Sequence, residues 1–199
     1  STVRKALAEL EQRGFVKTLN GKGTIVIEPD DTKLHQLALN SGYVEKALRY
    51  LHALQLMVLI IRPAALAAAP RFTKAELDEL ADRFTFPGSI YLTDILESIM
   101  KHTTLEPLYV ILSETNHLLE WGHHFAYYPS KKHTLSHLNK QVILAFQQLR
   151  EGNDVSFADG IADCYRYNLV CMKKHMVEKY RFHNVANIRV PQLITMEEK

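Results

Sequence analysis

The chain has 199 residues, of which 47% are hydrophobic and 23% charged, the balance of a globular protein with a sizeable core. Eight glycines and seven prolines exclude a fibrous or largely disordered protein. The two cysteines, Cys164 and Cys171, exclude a disulfide scaffold and a zinc ribbon, and free thiols fit a reducing cytoplasm.

The net charge of +2 is spread unevenly along the chain. The first 24 residues hold five basic and two acidic side chains, so the remainder nets −1. A basic segment on a nearly neutral body indicates that this segment contacts an anion, and a solvated helix face is the alternative.

No segment predicts a membrane protein. The longest apolar stretch, Leu54 to Ala69, is interrupted by Gln55, Arg62 and Pro63 and favours a buried core helix over a bilayer span. The first residues lack the apolar region of a signal peptide. We therefore expect a cytoplasmic protein without a membrane partner.

The first 28 residues predict a helix followed by a hairpin. Residues 1–12 begin with helix-capping residue types and carry apolar residues at helical spacing. Arg13-Gly14 predicts the end of this helix. Two strand-like segments, 15–19 and 24–27, flank the basic turn Asn20-Gly21-Lys22-Gly23, and an Asn-Gly step is a strong hairpin signal.

The rest of the chain predicts an all-α domain at 34–199, joined to the first unit by a linker at 29–33. Apolar residues recur at a period of 3.6 in seven stretches, which are 32–40, 44–69, 73–84, 90–102, 106–127, 132–151 and 154–182. Pro63 should kink or split the second of these helices. The predicted fold class is mainly α, with a bundle of six to seven helices.

Several of these residues resemble a known family. The segments Ser1-Thr2-Val3-Arg4-Lys5-Ala6-Leu7 and Gly21-Lys22-Gly23-Thr24, with Leu10, Gly14 and Val16, resemble the recognition helix and β-wing of a GntR-type winged helix-turn-helix. The helical part, through Trp121 to Pro129 and the helix entered by Arg150-Glu151-Gly152, is similar to the FadR-like branch of that family. The family's first two helices have no counterpart here, so residues 1–28 are expected to be the C-terminal half of the DNA-binding domain.

The resemblance implies a transcriptional regulator that binds operator DNA as a homodimer and is not an enzyme. A recognition helix inserts its first turn into the major groove, where base edges carry a distinct code. The DNA-contacting residues expected on the helix and the wing are Ser1, Thr2, Arg4, Lys5, Asn20, Gly21 and Lys22. An ordinary surface helix and hairpin is the alternative.

The resemblance also implies that a small-molecule effector, a fatty acyl-CoA or an organic acid, binds in the helical domain at 34–199. The candidate lining residues are Trp121, His124, Phe125, Tyr128, Arg166 and Tyr167, together with Tyr165. Arg166 would pair with an anionic head while the aromatic rings cover an apolar body. The alternative is that the aromatic residues belong to the core.

Many members of the branch bind a divalent metal through Asp-x-x-x-His and two later histidines. In this sequence Ser98 stands four residues after Asp94, and we expect neither a metal nor a cofactor. The sequence contains no nucleophile-base set or phosphate loop. The alternative function is an all-α ligand-binding protein or enzyme whose N-terminal hairpin is incidental.

Overall fold

The computed structural model describes residues 2–12, 16–21, 23–27, 41–85, 92–120, 132–178 and 180–191. Within these ranges the protein is mainly helical and has one small antiparallel sheet, which confirms the predicted class. The helices are α1 (Thr2–Gln12), α2 (Ser41–Ala68), α3 (Lys74–Thr85), α4 (Leu92–Lys101), α5 (Glu106–Leu119), α6 (Lys132–Arg150) and α7 (Asp154–Glu178). The strands are β1 (Val16–Leu19) and β2 (Gly23–Val26), and short 3-10 turns lie at Ala69–Arg71 and His183–Asn187.

The N-terminal unit consists of α1 and the β1–β2 hairpin, as predicted. The strands pair from Val16 opposite Val26 to Leu19 opposite Gly23. Gly21 and Gly23 have φ values of 76° and 84°, which glycine adopts without strain. The Glu11 carboxylate joins the helix to the hairpin by accepting hydrogen bonds from the backbone N–H and the hydroxyl of Thr18. The predicted linker at 29–33 and helix at 32–40 lie outside the described residues.

The remaining helices form a bundle around α2 and α7. The helix α7 packs along α2 on one side and along α6 on the other, α5 packs on α2 and α4, and α3 packs on α6. The two central helices supply most of the fully buried large side chains, among them Leu51, Leu54, Met57, Ile61, Phe157, Ile161, Tyr165 and Leu169. The α6–α7 crossing is close, because a β-carbon at Gly160 would lie 3.0 Å from that of Ala145.

Pro63 does not split α2, which runs unbroken from Ser41 to Ala68. Ile61 and Ala64, which lie within one turn of Pro63, are buried in the bundle, and this packing compensates for the backbone hydrogen bond that proline removes. The stretch Val44–Arg71 is long and apolar enough to cross a bilayer by length and composition, and an 18-residue segment of it has a mean hydropathy of 1.7. Half of that segment is buried within the bundle, which is typical of a core helix.

The last helix ends earlier than its sequence pattern predicts. The prediction reached residue 182, but α7 ends at Glu178 and the chain then turns through Arg181, whose φ is 54°. The Phe182 N–H donates to the Met176 carbonyl at 3.1 Å, which closes the helix terminus, and Tyr180 is buried beneath it. The sequence has no glycine or proline at this end, and the apolar periodicity continues past it. The pattern therefore predicted a helix that is too long. The helix predicted at 106–127 is observed as far as Leu119, and residues 121–127 lie outside the described ranges.

Candidate functional site

The first turn of α1 presents polar and basic side chains to solvent. Thr2, Arg4 and Lys5 are exposed, and α1 contains no buried residue. Asn20 and Gly21 are exposed at the hairpin turn. Five of the seven predicted DNA-contacting residues are therefore accessible, and Ser1 and Lys22 lie outside the described residues.

Apolar side chains of the same unit also face solvent. Val3 and Leu10 of α1 are 68% and 40% exposed, and Val26 of β2 is 83% exposed. Val16 is the one buried residue that the described part of this unit contributes. A helix and a hairpin alone bury little apolar area, so this unit has a surface suited to packing against a further element.

Two of the predicted effector residues, Arg166 and Tyr167, meet in a groove of about 350 Å³ between α6 and α7. The groove is also lined by His137, Leu138, Gln141, Asp163, Cys164 and Val170. Four of its α7 residues, at 163, 166, 167 and 170, are spaced i, i+3, i+4 and i+7 and so share one helix face, and Cys164 adjoins them. The other predicted lining residues, Trp121, His124, Phe125 and Tyr128, lie outside the described ranges.

The groove has an apolar floor and a polar rim. Leu138 and Cys164 are buried at its base, and burial raises the pKa of the Cys164 thiol to about 12, with the neighbouring Asp163 carboxylate adding to the increase. The thiol is therefore neutral at physiological pH and acts as an apolar surface. The rings of Tyr167 and His137 lie with centroids 4.5 Å apart across the groove.

Tyr165 belongs to the core and does not line the groove. It is fully buried, and its hydroxyl donates to the Leu92 carbonyl at 2.8 Å. Three residues farther along the helix, Asn168 donates to the hydroxyl of Tyr50 at 3.0 Å. Burial raises the pKa of both phenols, so they stay neutral and help to fix the alignment of α7 with its neighbours.

The side chains of the broken metal pattern are engaged in other contacts. The Asp94 carboxylate accepts a hydrogen bond from Arg83 at 2.7 Å, and the Ser98 hydroxyl donates to the backbone carbonyl of Asp94 at 2.9 Å. Among the described residues, no three His, Cys, Asp or Glu side chains are grouped as metal ligands. Asp94 thus joins α3 to α4 through an ion pair.

Sequence reasoning missed three polar residues of the groove, His137, Gln141 and Asp163. Their spacing carried a usable signal, since Asp163 lies three residues before Arg166 and Gln141 lies four residues after His137. The pairing of the two helix faces could not be read from the sequence, because it depends on how α6 packs on α7.

Comparison with protein-family models, with curated proteins and with solved structures found no match to this chain.

Proposed function

We propose that the protein is a GntR-type transcriptional regulator, cytoplasmic and homodimeric, whose affinity for operator DNA is controlled by a small molecule bound in the helical domain. The observation that carries the proposal is that one unit combines an exposed first turn of α1, with Arg4 and Lys5, and an exposed glycine-containing hairpin turn. This pairing of elements suits a recognition helix and a wing.

The chemistry of the first turn favours DNA. No acidic residue lies in the first turn of α1, so the positive end of the helix dipole and the two basic side chains act together on a phosphate backbone. The Arg4 guanidinium can form two hydrogen bonds with a guanine edge, while Lys5 suits a phosphate. At the wing, a β-carbon at Gly21 would meet nothing within 4 Å, so the turn offers unobstructed backbone to a DNA groove.

The helical domain offers a surface for a second copy of the chain. Exposed apolar side chains lie on two helices that pack on each other, namely Leu56 and Leu59 of α2 and Val110, Ile111 and Leu118 of α5. The same two helices differ in charge. On α2, Lys46 and Arg49 are exposed together with Glu45, which pairs with Arg49, whereas Glu106, Glu114 and Glu120 are exposed on or beside α5. A two-fold interface that places α2 of one copy on α5 of the other would join opposite charges around apolar contacts.

The groove between α6 and α7 is the proposed effector site. Its volume of about 350 Å³ suits a small metabolite. The groove is open, and its charged rim is unlike the long apolar channel that a fatty acyl chain needs. A small carboxylate held by Arg166 therefore fits better than a fatty acyl-CoA.

The test is selection of DNA from a random duplex library by the full-length protein, followed by titration of the selected site at several salt concentrations. Arg4→Ala should weaken the selected site by about 1–3 kcal/mol and relax its base preference, since a bidentate base contact is lost. Arg150→Ala, at an exposed arginine of α6 that lies outside both the groove and the proposed dimer surface, is the matched control and should leave DNA affinity unchanged.

A sequence-independent affinity that Arg4→Ala does not alter would refute the recognition-helix assignment. It would favour the alternative of an all-α ligand-binding protein or enzyme with an incidental hairpin.

A further inference from the structure

The rim of the groove between α6 and α7 carries one negative and one positive side chain that do not pair. Asp163 and Arg166 lie three residues apart on α7, a spacing at which opposite charges commonly form an ion pair. Neither forms an ion pair or a hydrogen bond with any residue in the described part of the chain. Elsewhere in the protein, Arg49 does pair with Glu45 one turn away, at 2.6 Å.

The rest of the groove is suited to an uncharged group. Leu138 and the neutral Cys164 thiol form the floor, Val170 extends the apolar surface along α7, and the Tyr167 ring packs on His137. An apolar or aromatic side chain could lie on this surface while charged groups of the same ligand remain at the rim.

We propose that this groove binds a zwitterion, an α-amino acid with an apolar side chain. Its ammonium group would contact the Asp163 carboxylate, its carboxylate would contact Arg166, and its side chain would lie against Val170 and Tyr167. The ligand would thus give both Asp163 and Arg166 an oppositely charged partner. The proposal narrows the effector class of the proposed function and depends on it only for the regulatory consequence of binding.

Asp163 decides between a zwitterion and a simple anion. An organic acid without an amine would place its carboxylate at Arg166, on the same rim as the Asp163 carboxylate, and the two like charges oppose binding. An amine without a carboxylate would likewise be repelled by the positive charge of Arg166. A ligand that carries both charges satisfies both side chains.

Calorimetric titration with two series of probes tests the assignment. The first series shares a phenyl ring and consists of phenylalanine, 3-phenylpropanoate and 2-phenylethylamine. The second shares a branched alkyl chain and consists of leucine, 4-methylpentanoate and 3-methylbutylamine. In at least one series the amino acid should bind about tenfold more tightly than each singly charged analogue, since each analogue loses one charge-assisted contact.

Two variants assign the charges to residues. Asp163→Asn should weaken the amino acid about tenfold and leave the carboxylate analogue no weaker, while Arg166→Gln should weaken the amino acid and spare the amine. The matched controls are Glu178→Gln and Lys174→Gln, an exposed pair farther along α7, which should leave all affinities unchanged. Thermal unfolding of each variant checks that the bundle is intact.

The proposal is overturned if the carboxylate analogues bind as tightly as the amino acids and Asp163→Asn has no effect. It is equally overturned if no probe of either series binds at millimolar concentration. Titration of DNA by the same preparations separates the two proposals, because failure of DNA binding would refute the proposed function without altering the ligand affinities.

Discussion

Cys164 and Cys171 lie on the same helix but in different surroundings. Cys164 is fully buried beneath the groove, whereas Cys171 is only partly buried. A thiol reacts as its thiolate, and burial raises the pKa of Cys164 to about 12, so both access and ionisation protect it. The two cysteines are seven residues apart, a spacing that places both on the same side of a helix. The sequence alone therefore could not show which of the two thiols is buried.

We expect Cys171→Ser to leave a protein whose remaining thiol, Cys164, reacts with a disulfide reagent at pH 8 only after unfolding. The unsubstituted protein should show one accessible thiol in the native state and two in guanidinium chloride. Absorbance of the released chromophore measures both. Rapid native labelling of the Cys171→Ser protein would show that Cys164 is not buried.

Glu76 combines two roles at the start of α3. Its carboxylate accepts hydrogen bonds from the backbone N–H and the hydroxyl of Thr73, at 2.8 and 2.7 Å, and lies 3.3 Å from His102 of the segment after α4. The Thr73 backbone hydrogen bond, then that of the Thr73 hydroxyl, holds the pKa of Glu76 below its usual value of 4.5. The arrangement is a capping box, which stabilises the ionised form.

The stability contributed by this carboxylate should therefore depend on pH. Because the pKa in the folded state lies below that in the unfolded state, the contribution is complete above about pH 4.5 and is lost as the pH falls through the folded-state pKa. Glu76→Gln keeps an acceptor oxygen but does not titrate. The difference in free energy of unfolding between the two proteins should therefore change on the acid side, as the Glu76 carboxylate is protonated.

Urea unfolding at a series of pH values measures this difference. Thr73→Val removes the hydroxyl donor and should shrink the acid-side change. A difference that stays flat from neutral to acid pH would contradict the capping role of the carboxylate.

At the scale of elements, the contact between α6 and α7 depends on a glycine. Gly160 lies in the second turn of α7, and inside a helix alanine is normally preferred to glycine by about 1 kcal/mol. A β-carbon at this position would lie only 3.0 Å from the β-carbon of Ala145 of α6. The two helices can therefore approach this closely only because Gly160 has no side chain. This close crossing brings together the two helix faces that line the groove.

We expect Gly160→Ala to destabilise the protein by about 1 kcal/mol, because overpacking at the crossing outweighs the gain in helix propensity. Ala145→Gly in the same chain should relieve the overpacking and show a favourable coupling in a double-mutant cycle. Denaturant unfolding gives all four free energies. Stabilisation by Gly160→Ala alone would show that the helices have room to separate.

At the scale of the whole molecule, the exposed apolar side chains of α2 and α5 predict self-association. Leu59 is 57% exposed at the middle of the long central helix. A charge introduced there would be buried at a dimer interface without a partner, whereas on a free surface it would have little effect.

Leu59→Glu should therefore shift the protein from dimer to monomer in sedimentation equilibrium, by at least tenfold in dissociation constant. Leu144→Glu, at a leucine of α6 that is 52% exposed, is the matched control and should leave the association unchanged. A monomeric unsubstituted protein at micromolar concentration would refute the proposed interface.

Much of the local structure could be predicted from the sequence because its signals are local. Apolar periodicity predicted the start of five bundle helices, α3 to α7, to within two residues, and the Asn-Gly step predicted the hairpin turn. The predicted end of α7 was wrong because the turn at Arg181 is stabilised by the burial of Tyr180 and Phe182 and not by a glycine. The unbroken passage of α2 through Pro63 likewise depends on packing with other helices.

The sequence by itself determined the helical class, the basic first turn of the N-terminal helix and the break in the metal-ligand pattern at Ser98, since each depends on residue types at short spacing. Only the tertiary structure decided that Arg166 and Tyr167 share a groove with His137 and Asp163, and that Tyr165 turns into the core. The physical reason is that successive residues of a helix point in different directions, and the packing of α7 between α2 and α6 determines which direction meets solvent, a neighbouring helix or a ligand.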